Sequence, residues 1–269
     1  MKSISNIDFS KLSLFDSILT TSKIIREDFP TEFVLLELNN KVQEAKSYIT
    51  SEQKPHRQLE KLLELFYEHW QFGGASGIYK LSDVLWIDYV LKTHQGTAVS
   101  LGILFLYIAQ SLHLPLNPVI FPTQLLLRAD WIDKKKWLIN PFNGEILNKH
   151  ILKVWLKGNI SPTAELYDND LYKATSMNVI RKILDTLKSA LIEEKKMELA
   201  LNVSNILLHI DPNNPYEIRD RGLIYAQLEC HHIALADLIY FIEHCPEDPI
   251  SEIIKLQIHS IEQRKLILH

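Results

Sequence analysis

Hydrophobic positions change their period along this chain, and the changes predict its elements. Over residues 31–48, Phe33, Leu36, Leu38, Val42 and Ala45 recur at near-helical spacing just after Pro30, with Thr31 as the expected N-cap. Residues 59–70 repeat the pattern, with Leu59, Leu62, Leu63, Phe66, Tyr67 and Trp70 in one stripe. Residues 72–77 hold three of the eight glycines and read as a loop. Residues 81–92 read as helix again, with Ser82 as N-cap and Leu85, Tyr89 and Lys92 at four- and three-residue steps. The stretch 98–112 is apolar on almost every side, which predicts a buried helix. Three short segments rich in β-formers follow, at 116–121, 124–131 and 136–139, with Asp133, Lys134 and Lys135 as the turn between the last two. A buried helix followed by a small antiparallel sheet is an α+β arrangement, mostly helical.

Residues 157–170 (KGNISPTAELYDND) are polar and turn-rich, so the expected domains are 1–160 and 175–269. From Met177 onward the pattern is helical and it repeats: Ala200 and Pro212 recur 34 residues later as Ala234 and Pro246. Gly222, Tyr225, Ala234 and Pro246 occupy the small, aromatic, small and proline positions of the 34-residue helix–turn–helix repeat. The cause is close packing, since Gly222 and Ala234 let antiparallel helices approach while Tyr225 fills the space above. The first unit, 181–214, carries Lys188 where glycine would stand. Two units are few for a self-standing array, so buttressing by the preceding domain and by a last helix over 251–268 is expected.

Composition removes several classes. Lysine and arginine number 29 against 33 acidic residues, a net charge of −4 without an evident cluster, which argues against nucleic acid or anionic lipid as the main partner. Residues 1–8 lack an apolar run of the signal-peptide kind, and the most apolar stretch, 99–127, is interrupted by Gln110, His113, Pro115, Pro118 and Pro122. Two cysteines, Cys230 and Cys245, cannot make a disulfide framework. The expectation is a soluble protein of a reducing compartment.

The candidate chemistry lies in the middle third: His94-Gln95-Gly96-Thr97-Ala98-Val99-Ser100-Leu101, then Leu112-His113-Leu114-Pro115, then Pro122-Thr123-Gln124, then Asn140-Pro141-Phe142-Asn143-Gly144. In that order these segments resemble the transglutaminase-like core of papain-type topology, and more narrowly its SirB-type branch, in which that core precedes tetratricopeptide repeats. The resemblance implies a Cys opening the helix, a His on the next strands and an Asp further on. A thiolate there would be stabilised by the helix dipole and a neighbouring His. The matching positions hold Ala98, Gln124 and Asn140, a methyl and two amides that cannot titrate near neutral pH. The resemblance therefore leads to the expectation of a fold kept and a chemistry removed.

Substitute groups stand nearby. Thr97 and Ser100 flank Ala98, but Ser100, two residues on, should face about 200° away, and Thr97 suits an N-cap. A line of Asp88, His94 and Ser100 can be drawn, although no spacing forces it. Arg128, ending an apolar strand, is a candidate anion contact or an ion-pair partner, and Tyr225 a candidate for the repeat groove. Cys230-His231-His232 and His244-Cys245 lack paired ligand spacing, so no metal is expected, and no cofactor. Lys134-Lys135-Lys136 reads as a solvated hairpin tip. Trp70, Phe72, Trp86, Trp131, Trp137 and Trp155 read as core. The expectation is a non-catalytic module binding a protein or peptide, with neither nucleic acid nor membrane as partner. The SirB-type resemblance adds a bacterial cytoplasmic setting and a regulatory role. The alternative is a hydrolase or acyltransferase of the same fold using Ser100 or Thr97.

Overall fold

The structure is a computed structural model and describes residues 7–49, 54–132 and 135–267. Two compact units emerge: Leu12–Leu19 with Asp28–Ile183, and the N-terminal residues to Lys11 with Thr20–Glu27 and Leu184 onward.

The first unit is built around a helix that has no polar face. Helix α1 (Leu14–Ile25) begins in this unit and ends in the other; α2 (Thr31–Tyr48), α3 (Pro55–Leu63) and α4 (Ile87–Thr93) follow. The stripe predicted over 59–70 is one continuous rod, but its second half, Glu64–His69, is π-helical. The helix expected over 81–92 is broken: a 3-10 turn, Asp83–Leu85, precedes α4, and Trp86 between them is extended. Neither Thr31 nor Ser82 caps as expected. Pro30 occupies the cap before α2, Thr31 is the first helical residue with its hydroxyl buried and unpartnered, and Ser82 makes no capping bond. Helix α5 (Ala98–Ser111) follows, with eleven of its residues buried. The glycine loop forms a two-residue strand, β1 (Gly73–Gly74), parallel to β2 (Gln95–Gly96).

The sheet runs β3 (Leu116–Ile120), β4 (Leu125–Asp130), β5 (Lys136–Ile139), β6 (Ile146–Leu147), antiparallel and in chain order. Both faces are covered, which is why β4 reads Leu-Leu-Leu rather than alternating. Leu125, Leu127, Ala129 and Ile139 face the cluster built on α5. Val119, Leu126, Leu138 and Leu147 face Leu152 and Leu156 of α6 (Lys149–Asn159). The polar stretch 157–170 is not where the compact units divide. It runs back along the sheet: Leu171 joins the α6-side cluster, its carbonyl accepts from Arg128 Nη1 at 2.7 Å, and Ala174 N–H donates to Pro118 O at 2.8 Å. The division falls between Ile183 and Leu184, inside α7 (Ser176–Glu193). The Asp133–Lys134 tip lies outside the described residues.

The second unit holds α8 (Met197–Ile210), α9 (Pro215–Gln227), α10 (His231–His244) and α11 (Ile250–Ile267). The repeat is visible in burial, since Ala200 and Ala234 are both fully enclosed. Gly222 permits the closest approach: a Cβ there would lie 2.9 Å from Asp237 Cβ and 3.1 Å from Leu238 Cγ. The chain's own start completes the unit. Phe9 is buried with its ring 6.1 Å from that of His209, whose Nε2 lies 2.9 Å from Ile7 O, and Asn202 Nδ2 donates to Ile25 O at 3.1 Å.

Lys188, at the position glycine would hold, is buried between Glu217 Oε2 and Asp220 Oδ2, each 2.7 Å from Nζ. Burial alone would push its pKa down, but the two carboxylates outweigh it and hold the ammonium above the ordinary range. Two outcomes follow from these contacts. Gly222→Leu overpacks α9 against α10 and should cost about 1–3 kcal/mol in denaturant unfolding. Lys188→Met leaves the buried Glu217 without a cation, while Asp220 keeps Arg219 at 2.6 Å, and should cost about 3–5 kcal/mol at neutral pH. The raised pKa sets the sign of its pH dependence. The lysine's stabilisation is present below its unfolded value of about 10.4 and fades as pH rises through the higher folded value, so the wild-type advantage should shrink in strong alkali. It should shrink in acid too, where Glu217, whose carboxyl burial holds above its ordinary value, takes up a proton.

Candidate functional site

The site begins where β2 turns into α5. Thr97 is the N-cap and forms a reciprocal box with Ser100: Ser100 N–H donates to Thr97 Oγ1 at 3.2 Å, and Thr97 N–H donates to Ser100 Oγ at 2.9 Å. Gly96 is required, because a Cβ there would stand 2.7 Å from Ser100 Oγ. Ala98 is therefore the first helical residue, 4% exposed.

Asn140 follows β5 and opens a tight turn in which Asn143 and Gly144 N–H donate to its carbonyl at 3.4 and 2.8 Å. Its side-chain Oδ1 accepts from Phe142 N–H at 3.1 Å, which fixes the amide's orientation. Gln124, just before β4, then has one way to meet that oxygen: its Nε2 donates to Asn140 Oδ1 at 3.1 Å. Gln124 and Asn140 thus form a neutral pair in which a single oxygen takes two donors. No side chain in the pair carries a charge or a transferable proton near neutral pH.

Backbone proximity ties this pair to the start of α5. Ala98 and Gly102 lie one turn apart on the same helix face. At Gly102 a Cβ would come within 2.9 Å of Leu125 Cδ2 and 3.3 Å of Pro141 Cγ, the residues that follow Gln124 and Asn140. On the other side, Gly74 is open only because the Phe142 ring occupies the place of its Cβ, and Gly74 pairs with Gly96. Tyr67 closes the turn from beneath. Its hydroxyl donates to Pro141 O at 2.8 Å, a Cβ on Gly144 would run into its ring, and burial pushes its phenol pKa far up. Tyr67 and Phe142 were read in the sequence only as a stripe residue and part of a motif. The glycine pair Gly73-Gly74, rare in this chain, was the one signal of a close approach.

The other candidates find ordinary partners. Ser100, 1% exposed, donates to Val84 O at 2.7 Å, and its remaining contacts are to Thr97. His94 has a positive φ of 59° and stacks on Phe72 at 4.4 Å, while Asp88 lies 3.9 Å from Lys92 Nζ. The line Asp88–His94–Ser100 is not assembled. Arg128 is an ion-pair residue, 2.8 Å from Asp130 Oδ1, and Lys173 meets the other oxygen at 3.0 Å. Burial would raise the Asp130 carboxyl, but Lys173 and Arg128 hold it below the usual range. Tyr225 packs on the cluster of Ala234, Leu238 and Phe241. Cys230 and Cys245 flank α10 as its N- and C-cap residues. Among the described residues no group of three or more His, Cys, Asp or Glu is placed to hold a metal, and no helix is long and apolar enough to cross a membrane.

The profile of the transglutaminase-like superfamily matches residues 32–185, and that of a tetratricopeptide repeat matches 187–259. A UPF0162 protein of Buchnera aphidicola subsp. Acyrthosiphon pisum is 77% identical over the full length of both chains. Protein SirB1 of Salmonella typhimurium is 57% identical, and the UPF0162 protein YchA of Escherichia coli K12 is 55% identical, each again over all of both chains. No solved structure matches. With the core assembled on α5 and the repeats following it along the sequence, the chain belongs to the SirB1/UPF0162 family, a transglutaminase-like domain followed by tetratricopeptide repeats.

Proposed function

We propose that this chain is a non-catalytic transglutaminase-like protein of the bacterial cytoplasm, with a regulatory role, and that its repeats hold a protein or peptide partner. The observation that carries the reading is the Gln124–Asn140 amide pair, whose chain neighbours Leu125 and Pro141 pack on Gly102, one turn from the buried methyl of Ala98. Acyl transfer in a fold of this kind needs a nucleophile, a base to take its proton and an acid to return it to the leaving group. A methyl and two amides supply none of these. Support for a binding role comes from the second unit, since stacked helix pairs present extended surfaces to other chains. The alternative, a hydrolase or acyltransferase using Ser100 or Thr97, draws no support from hydroxyls that serve a capping box and a backbone carbonyl.

Activity measurements test this directly. The unmutated chain and Ala98→Cys should both show no amidase or transglutaminase turnover on generic acyl substrates. A helix N-terminus favours the thiolate form of the new side chain, but at a position only 4% exposed it should meet an alkylating agent slowly. It would still lack a proton donor for the leaving amine, a step worth about 10²–10⁴ in rate. Turnover by the unmutated chain that disappears in Ser100→Ala or Thr97→Val would establish the alternative. Turnover that survives both would place the chemistry elsewhere.

Asn140→Ala separates a structural role from a catalytic one. It leaves Phe142 N–H and Gln124 Nε2 without their acceptor and should cost about 1–3 kcal/mol in unfolding free energy. A loss under half a kcal/mol would mean that the pair does not hold the turn.

A further inference from the structure

Helix α6 carries more charge than its place in the fold requires. Leu152 and Leu156 are buried against the sheet, and that packing is the helix's share in the core. Lys149, Lys153 and Lys157 recur at four-residue steps, so they lie along one face, and all three are exposed. His150 is exposed beside them, and Val154, about one turn from both His150 and Lys157, is 54% exposed. No residue of α6 is acidic.

This pattern works against the helix. Like charges four residues apart repel, and α6 has two such pairs in succession. Lys149 is the first helical residue, where the dipole disfavours a cation, and no acid in the first turn offsets it. Lys157, in the last turn, suits its end of the helix. Neighbouring elements do little to neutralise the row. Lys149 reaches Asp168 at 3.5 Å with both side chains well exposed, and Lys153 and Lys157 have no acidic partner among the described residues. Residues that cost local stability without packing on anything are expected where a partner is met.

The arrangement also selects the partner. Cations at rises of about 6 Å, with a valine beside them, fit a helix whose carboxylates recur at the same four-residue steps. A lipid surface fits less well, because the apolar stripe that would enter it is already packed on the sheet. A long nucleic acid also fits less well. The row holds no arginine, tyrosine or tryptophan, and the chain as a whole carries a net charge of −4.

We propose that the exposed face of α6 docks an acidic helical segment of a partner protein. Lys149, Lys153 and Lys157 pair with its carboxylates, and Val154 meets the methylene groups between them. The face lies within the first unit and uses neither the repeats nor the Gln124–Asn140 pair, so it does not depend on whether the chain is catalytic.

Fluorescence anisotropy with the full chain tests the proposal, using a labelled alanine-based helical peptide with glutamate at every fourth position against the same peptide with glutamine there. The glutamate peptide should bind at low ionic strength and be released as salt rises, and the glutamine peptide should stay unbound. An exposed ion pair is worth up to about fivefold in affinity, and its reversal adds repulsion of the same order. Lys153→Glu with Lys157→Glu should therefore lower affinity by about tenfold or more. Lys46→Glu with Lys54→Glu, an equal change of net charge at exposed positions outside α6, should leave it unchanged. Lys153→Glu alone turns both repulsive pairs into attractive ones, so its melting temperature should hold or rise while binding falls. A lower melting temperature would make the lysine structural and overturn the proposal. So would failure of the glutamate peptide to bind, or binding that the paired α6 variant leaves intact. Capture of phosphatidylglycerol vesicles or single-stranded RNA without the peptide, lost in the paired variant, would also overturn it by assigning the face to a phosphate polyanion.

Discussion

A helix without a polar face must be covered on every side, and the architecture of the first unit is the solution to that requirement. Helix α5 buries Leu101, Leu104, Phe105 and Ile108 almost completely, so no part of its middle can face water. The sheet covers one side through Leu125, Leu127 and Ile139, and the rod of α3 with its π-helical extension covers another through Phe66 and Leu62. Phe66 shows how tightly this is done, with Phe72 stacked at 4.5 Å and Phe105 edge-on at 5.1 Å. The helix start can be dry only because Thr97 and Ser100 satisfy one another's backbone groups. Enclosure of α5 also sets the position of the candidate site, since the strand ends carrying Gln124 and Asn140 are those pressed against its first turns.

Much of this was readable in the residues, and the exceptions have physical causes. The helix over 98–111 and the three main strands announced themselves, because continuous apolar runs, short ones between proline and turn residues and a long one without them, are local signals. The segment β6 was missed because Ile146 and Leu147 are too few to show a period. The π-helical stretch and the break at Trp86 were missed because apolar spacing does not distinguish helix types. Residues 157–170 looked like a linker for the reason that polar, turn-rich sequence usually is one. What held them to the sheet was a backbone carbonyl at Leu171 and a backbone N–H at Ala174, which leave no trace in side-chain patterns.

At the candidate site the residue types could be read but not their pairing. Asn140 was legible as an uncharged residue able to accept a hydrogen bond. That its oxygen takes both Phe142 N–H and Gln124 Nε2 follows from a turn whose geometry involves Gly144 at a φ of 75° and Tyr67 beneath it. In the repeats, Lys188 looked like a departure from the consensus, whereas in the fold it replaces close packing by a buried cation held between two carboxylates.

The second unit is assembled from both ends of the chain, and this orders events during synthesis. Ile7, Phe9 and Ile25 leave the ribosome first, yet the groups that receive them, His209 and Asn202, emerge almost 200 residues later. At about 5–20 residues per second that interval is on the order of 10–40 s. Through all of it the second half of α1 has no helix of its own unit to pack on, while the central core can already close around α5. Residues 7–25 are thus made long before α8, on which they find their place.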